Sequence, residues 1–254
     1  MILGVLQARF TSTRLPGKVL KPILGKPMIA RQLERLKRAR RLDGLIVATS
    51  ADATDDPLAQ ACRAEGVDVF RGSLDDVLDR FFQAAKTRKP SVVVRLTGDC
   101  PLADPALIDA CVDLLRSSGC DYVCNRMPPS FPDGLDVEVA TWPALERAWK
   151  ESKLPSEREH VTPYLYKHPE LFKLGNHPND RDLSALRWTV DEADDFDMIT
   201  RIYEALYPGN PAFTTADVLA LLERHPDWKT LNTKHVRDAG YAKSLAKDPK
   251  GDKR

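Results

Sequence analysis

Met1-Ile-Leu-Gly-Val-Leu-Gln-Ala-Arg-Phe-Thr-Ser-Thr-Arg-Leu-Pro-Gly-Lys18 opens the chain. The run from Met1 to Leu6 is apolar, the pattern of a strand buried on both faces. The loop after it carries Arg9, Arg14 and Lys18, the hydroxyls of Thr11, Ser12 and Thr13, and a Pro16-Gly17 turn signal. No acidic residue precedes Glu34, whereas Arg9, Arg14, Lys18, Lys21, Lys26 and Arg31 are all cationic. A single Lys or Arg is ordinarily a solvated surface charge. Six without a counter-charge are a different matter. A cationic, hydroxyl-rich loop at the carboxyl end of a first strand is where an α/β protein seats a polyanion. The stretch reads as a triphosphate cradle.

Outward from this loop, strand and helix signals alternate. Pro27 to Arg40 predicts a helix with Met28, Ile29, Leu33 and Leu36 on one face, and Leu45 to Thr49 a second apolar strand. Ser50 to Asp56 is a polar turn, and Pro57 starts a helix over Leu58 to Ala64 that ends at Gly66. Val67 to Phe70 is a short strand, Asp75 to Lys86 a helix, and Ser91 to Leu96 a valine-rich strand. Asp104-Pro105 caps a helix running to about Leu115, and Asp121 to Cys124 is a fifth strand. Such repetition predicts a Rossmann-like α/β fold, its mostly parallel sheet covered by helices on both faces.

After Asn125 the rhythm breaks at Pro128-Pro129 and Pro132-Asp133-Gly134. Leu135 to Val139 alternates like a half-exposed strand, and helices follow over Trp142 to Ser152 and Ser156 to Lys167. Residues 125–187 are therefore expected as an inserted α+β excursion. A strand over Ala185 to Val190 returns to the sheet, and helices near Phe196 to Leu206 and Thr214 to Arg224 close the fold. The expected organisation is one domain over 1–242 and a frayed, charged tail over 243–254.

The 254 residues carry a formal charge of +1 and no broad basic face beyond the first loop, which argues against a nucleic-acid polymer as partner. No apolar run approaches the roughly 18 residues of a membrane span. The first strand lacks the basic start and cleavage site of a signal peptide. Five cysteines, an odd number, then point to reduced thiols and a cytoplasmic protein. Cys120 and Cys124 have a spacing that some zinc sites use, but no second pair or nearby His completes one.

Two strand ends carry acids. Arg95-Leu-Thr-Gly-Asp99-Cys-Pro101 places Asp99 at the carboxyl edge of the sheet, where open α/β folds bind ligands. Arg187-Trp-Thr-Val-Asp191 does the same for Asp191, which also reads as a helix cap. On neighbouring strands these carboxylates could share Mg²⁺, which prefers one or two carboxylates, water and substrate phosphates to an all-protein cage. Gly-x-x-x-x-Gly-Lys-[Ser/Thr] is absent, so a P-loop ATPase is not expected.

Gln7-Ala-Arg9 through Lys18-Val-Leu20, followed by Gly25-Lys-Pro27, resembles the opening signature of the cytidylyltransferases that make CMP-activated acidic sugars. Arg71 to Arg80, Arg95 to Pro101, Asp133-Gly-Leu-Asp-Val-Glu138, Arg158-Glu-His-Val161 and Arg187 to Asp191 resemble the spore coat polysaccharide biosynthesis protein F branch of that family. The likeness runs from Ile2 to about Leu222. It implies that Arg9, Arg14 and Lys18 hold the phosphates of CTP, and that Gln7, Ala8, Thr97 and Gly98 belong to the nucleotide-binding set. Lys18, Arg14 and Asp99 are implied as catalytic, and Asp99 with Asp191 as the Mg²⁺ ligands. Thr49, Ser50, Arg71 and Ser73 match segments around cytosine and ribose. Asp136, Glu138, Arg158 and His160 fall where family members meet the acceptor, with His160 equally readable as a packing residue. Many members have Gly or Ser where this chain has Thr11, whose β-branch restricts close backbone approach.

The implied reaction is transfer of CMP from CTP to a small acidic-sugar acceptor, with release of pyrophosphate, in surface polysaccharide synthesis. A phosphonate or amino-acid acceptor, or a non-catalytic nucleotide-binding subunit, are the alternatives. Asp136 and Glu138 suit hydroxyl or amine groups, so an acceptor carboxylate needs a cation such as Arg126, Arg158 or Lys167. Trp142, Trp149, Tyr164 and Tyr166 recur at roughly helical spacing in the excursion. Related enzymes dimerise through a comparable insertion, so a homodimer is expected.

Overall fold

The computed structural model describes residues 1–249. In chain order come β1 (Ile2–Gln7), a hairpin of β2 (Pro22–Ile23) and β3 (Lys26–Pro27), α1 (Met28–Leu36), β4 (Gly44–Ser50), α2 (Asp56–Ala64), β5 (Asp68–Gly72), α3 (Val77–Lys86) and β6 (Val92–Thr97). Next are α4 (Pro105–Ser118), β7 (Tyr122–Cys124), β8 (Glu138–Thr141), α5 (Trp142–Glu151), α6 (Pro155–His160), α7 (Pro163–Lys167) and β9 (Leu174–Asn176). Helices α8 (Ala193–Leu206), α9 (Thr215–Arg224) and α10 (Ala239–Leu245) end the described chain.

The main sheet has the order β5-β4-β1-β6-β8-β7-β9, with β8 alone antiparallel to its neighbours. Strand β1 lies inside it, paired in parallel with β4 on one side and β6 on the other. Its alternation serves both faces. Leu3 and Val5 pack with Phe81 and Phe82 of α3, while Leu6 packs with Met28, Ile29 and Leu33 of α1. That double burial is why the strand reads as a continuous apolar run. The parallel, helix-covered architecture matches the expected α/β class.

Several local expectations need correction. Ala185 to Val190 is not a strand of the sheet. Arg187 forms an isolated bridge with Asp133, Trp188 N–H donates to Asp133 O at 2.6 Å, and Val190 N–H donates to Asp99 O at 2.8 Å. Trp188 and Val190 are buried in the core, so the apolar signal was real, but the backbone pairs with two loops. Asp99 and Asp191 therefore do not end neighbouring strands. The segment 135–139 is not half-exposed either: β8 is interposed between β6 and β7, with Glu138, Val139 and Ala140 all buried. Ser156 to Lys167 splits into α6 and α7 at Val161, which takes a left-handed φ of +72°, and α7 restarts at Pro163.

The aromatic residues of the excursion pack internally. Phe82 stacks on Trp142 and Trp149 at centroid separations of 4.8 and 4.2 Å, Tyr164 meets Phe172, and Tyr166 meets Tyr122. The stretch Lys243 to Asp248, expected as part of a frayed tail, contains the end of α10 at Leu245, and Asp248 accepts from Ser156. Residues 250–254 of that expected tail lie outside the described residues.

Candidate active site

A cavity of about 340 Å³ opens at the carboxyl edge of β1 and β6. The loop after β1 forms one wall through Gln7, Ala8, Arg9, Arg14 and Lys18. Buried Asp55 holds this loop in place, accepting from Phe10 N–H at 2.6 Å and from Ser50 N–H at 2.9 Å. Gly98 brings the end of β6 against it. Its N–H donates to Gln7 O at 2.8 Å, and a Cβ at this position would sit 2.7 Å from that of Ala8. Only glycine allows that approach.

Lys18 sits at the focus of the site, with its side chain 10 % exposed. Its Nζ donates to Val190 O at 2.7 Å, Asp191 Oδ1 at 2.8 Å and Asp99 Oδ2 at 3.4 Å. Burial opposes the charge, yet Asp99 and Asp191 outweigh it and hold the ammonium above its ordinary range. Burial likewise pushes Asp99 up. Lys18, with the Thr97 hydroxyl and Cys100 thiol, more than offsets this and keeps the carboxyl below its ordinary range. Arg14 reaches the same acid, Nη2 lying 2.8 Å from Asp191 Oδ1.

Asp191 is oriented from below by Arg187, whose Nη2 donates to Asp191 Oδ2 at 3.2 Å. The same guanidinium donates to buried Asp195 at 2.9 Å twice and to Asp133 Oδ2 at 2.9 Å. Gly134 makes room for this arrangement. Its φ of +104° lies in the left-handed half of backbone space, and a Cβ there would stand 2.4 Å from Thr189 N.

Asp99 and Asp191 thus already share one cation, the Lys18 ammonium. Two carboxylates beside an open cavity suit a hard divalent ion completed by water and phosphate oxygens. Among the described residues no group of three or more His, Cys, Asp and Glu forms a protein-only cage. The donor set fits Mg²⁺ shared with a substrate.

The far wall is acidic. Burial and neighbouring Asp136 push Asp133 up to about 6, and burial raises Asp136 despite Arg237 and Arg126. Glu138, 3 % exposed, is also in the wall, but its oxygens are occupied by Arg95, Tyr122 Oη at 2.5 Å and Thr162 Oγ1 at 2.6 Å. Burial opposes its charge; Arg95, Arg126 and these hydroxyls prevail and depress it to about 2. Its role here is to fix its neighbours. His160 lines the cavity, its Nε2 2.9 Å from Ser244 Oγ, and burial with nearby Arg95 lowers it to about 4.

Other expected residues lie outside the cavity wall. Thr49 and Ser50 are buried at the end of β4, Ser50 bonded to Asp55. Arg71 is taken up by Asp56, Ser50 O and Asp52 O, and Ser73 Oγ accepts from Asp76 N–H at 3.0 Å. Arg158 departs furthest from expectation: Nη2 reaches Asp76 Oδ2 at 2.5 Å and Nη1 reaches Trp149 O at 2.8 Å, tying α6 to the start of α3. Arg126, expected as a candidate cation for an acceptor carboxylate, does line the cavity, and so do Arg80, Arg95 and Tyr241, which were not singled out as site residues. Arg80 and Arg95 fall within the quoted motifs, which was the available signal. Nothing local marks Tyr241.

A model of the cytidylyltransferase family matches residues 3–225. An uncharacterised protein of Methanocaldococcus jannaschii, MJ1063, is 38 % identical over 94 % of this chain and 97 % of its own. Spore coat polysaccharide biosynthesis protein SpsF of Bacillus subtilis is 34 % identical over 90 % of this chain and 97 % of its own. A cytidylyltransferase structure from Leptospira borgpetersenii superposes with a TM-score of 0.85 at 35 % identity, covering 90 % of this chain and 96 % of the other. No helix among the described residues is long and apolar enough to cross a membrane. With the family model spanning most of the chain and the cationic loop facing paired carboxylates, the chain belongs to the cytidylyltransferase family and is a CTP-dependent nucleotidyltransferase.

Proposed function

We propose that this enzyme transfers CMP from CTP to an acidic-sugar acceptor and releases pyrophosphate, in the synthesis of a surface polysaccharide. The convergence of Lys18, Asp99 and Asp191 beneath the cationic loop carries the proposal. The triphosphate lies along Arg9, Arg14 and Lys18, as opposite charge and backbone donors at a strand end favour. Thr49, Ser50, Arg71 and Ser73 are proposed to support the nucleoside side from behind the cavity wall, and Asp136, Glu138 and His160 to line the acceptor side. The acceptor oxygen bonds to the α-phosphorus as the bond to the bridging oxygen of pyrophosphate breaks. Its proton passes to the acidic wall of Asp133 and Asp136. Positioning and fixed charge supply most of the rate. Lys18 and Arg14 swing from carboxylates to phosphate oxygens, so their charge meets the developing negative charge of the transition state. Mg²⁺ held by Asp99 and Asp191 supplies charge neutralisation of the phosphates when bound.

The resemblance to SpsF supports a polysaccharide context. The same proposal includes a homodimer in the cytoplasm, and a monomer mass in solution removes the first element. The deciding test is a pyrophosphate-release screen with Mg²⁺, the four nucleoside triphosphates and a panel of sugar acids, phosphonates and amino-acid derivatives. Release with CTP and a sugar acid supports the reading. Release only with a phosphonate or an amino-acid derivative overturns it.

A further inference from the structure

Residues 226–249 follow the family match and form a strap across the acceptor side of the cavity. Buried Asn232 pins one end, its Nδ2 donating to Arg187 O at 3.0 Å and Asp195 Oδ1 at 2.9 Å. Arg237 pins the middle through Phe131 O at 3.1 Å and Asp136 Oδ1 at 2.5 Å. Ser156 holds the other end through Asp248, at 2.8 Å from its N–H and 2.5 Å from its hydroxyl. Between the pins the chain turns at Asp238, with a left-handed φ of +58°, and enters α10. Asp238 and Tyr241 thereby face the cavity, with the Tyr241 ring edge-on to His160 at 5.0 Å.

Arg126 is the guanidinium beneath this strap. Like Arg80 it has a buried Nε without a hydrogen bond among the described residues, but it differs from Arg80, Arg95 and Arg187 in that its Nη2 is held by a half-exposed carboxylate. Arg95 is committed to buried Glu138, Arg80 to the carbonyls of Ser73 and Leu74, and Arg187 to three aspartates. Nε of Arg126 is buried and donates no hydrogen bond among the described residues, although Asp136 Oδ2 lies 3.4 Å away. Among the described residues its side chain donates one hydrogen bond, from Nη2 to Asp238 Oδ1 at 2.6 Å, and the Asp238 side chain is 49 % exposed. A planar fork with an unused donor and an exchangeable partner is suited to capturing a carboxylate in two-point fashion.

We infer that Arg126 receives the carboxylate of the acceptor and that Asp238 occupies that place until the acceptor arrives. Asp238 is then a specificity-determining residue. An acceptor carrying a carboxylate displaces it, whereas a neutral analogue leaves the Arg126–Asp238 pair closed. The inference rests on the proposed acceptor class and adds the residues that select it.

The test is calorimetric titration of the full chain with 3-deoxy-manno-octulosonate, N-acetylneuraminate and the methyl ester of each. Mg²⁺ and a non-hydrolysable α,β-methylene analogue of CTP are present throughout. We expect the wild type to bind a sugar acid about tenfold more tightly than its ester, as a charge-assisted fork requires. D238N is expected to tighten acid binding about fivefold and leave the ester unchanged, because only the acid competes for Arg126. R126Q is expected to erase the difference between acid and ester. D238G, which keeps the left-handed turn, serves if D238N fails to fold. Unchanged or weaker acid binding in the Asp238 variants overturns the inference, as does an acid preference that survives R126Q. So does a lack of acid binding by every form while the CTP analogue binds. If the wild type fails to bind the CTP analogue, the proposed reaction falls first and this inference with it.

Discussion

Replacing Lys18 by Met removes the ammonium between Asp99 and Asp191 while keeping most of the side-chain volume. The two carboxylate oxygens, 3.4 and 2.8 Å from the lost Nζ, then face each other at no more than about 6 Å, a repulsion of about 3 kcal/mol or more at the effective permittivity of a partly exposed site. Arg14 and Arg187 still contact Asp191, and solvent reaches Asp99, whose side chain is 30 % exposed. Both reduce the net cost to about 1–2 kcal/mol, or a Tm lower by roughly 3–6 °C for a chain of this size. The effect on rate is larger. Loss of one preorganised charge at the phosphates removes about 3–4 kcal/mol of transition-state stabilisation, a fall of 10²–10³ in kcat.

The pH dependence gives the prediction a sign. In the wild type Lys18 holds Asp99 below the usual carboxylate range, so this stabilisation is present above the unfolded value near 4 and is lost as pH falls through the folded value. In K18M, burial and Asp191 push Asp99 the other way. The stability gap between the two proteins is therefore widest at neutral pH and closes as pH falls into the carboxylate range. Urea denaturation from pH 7 to pH 3 and CTP-dependent pyrophosphate release read the two halves. Turnover within tenfold of wild type, or a gap that grows on acidification, refutes the reasoning.

Glu138→Gln leaves Arg95 without its buried counter-charge and costs about 3–5 kcal/mol at pH 7. Because Glu138 is depressed to about 2, that contribution is intact above about 4.5 and shrinks between 4.5 and 2, which acid titration of unfolding in both proteins measures. His160 is lowered to about 4, so its burial as a neutral ring stabilises the fold above about 6.5 and that contribution is lost as pH falls toward 4. His160→Gln should flatten the stability profile in that window by roughly 1–3 kcal/mol, checked by thermal melts at pH 7 and pH 4.5. Gly134→Ala should cost about 4 kcal/mol or more, since the added carbon meets the backbone of Thr189 and Trp188, and circular dichroism with urea reports it. Chelation by EDTA should abolish pyrophosphate release with unchanged far-UV dichroism, and added Mg²⁺ or Mn²⁺ should restore it.

The first strand and its loop were legible because their signals are local: a two-faced strand must be apolar throughout, and clustered cations need an anion. The pairing of Asp99 with Asp191 was also legible, but by the wrong geometry. Trp188 and Val190 point into the core as a strand's residues do, and sequence periodicity cannot tell a ladder partner from a loop carbonyl. Strand β8 was read as half-exposed because Glu138 is ionisable. The residues that make its burial tolerable, Arg95, Tyr122 and Thr162, lie 16 to 43 positions away. The strap was hidden for the same reason. Arg237 and Asp238, which follow the last expected helix, look like solvated charges until Asp136 and Arg126, 101 and 112 positions upstream, are set opposite them.

The interposed antiparallel strand β8 has a consequence for how such enzymes diversify. A parallel crossover after β7 would carry the chain away from the reactive edge through a helix. Reversal instead keeps residues 125–137 at that edge as one continuous loop, where Arg126, Asp133 and Asp136 stand. In the proposed function the nucleotide half comes from β1 and β6 and their loops, and the acceptor half from this loop and the C-terminal strap. Length changes in the loop or exchange of the strap can therefore recast the second substrate while Lys18 and its neighbours keep their positions. On the proposed reading, the two substrates meet separate segments of one chain.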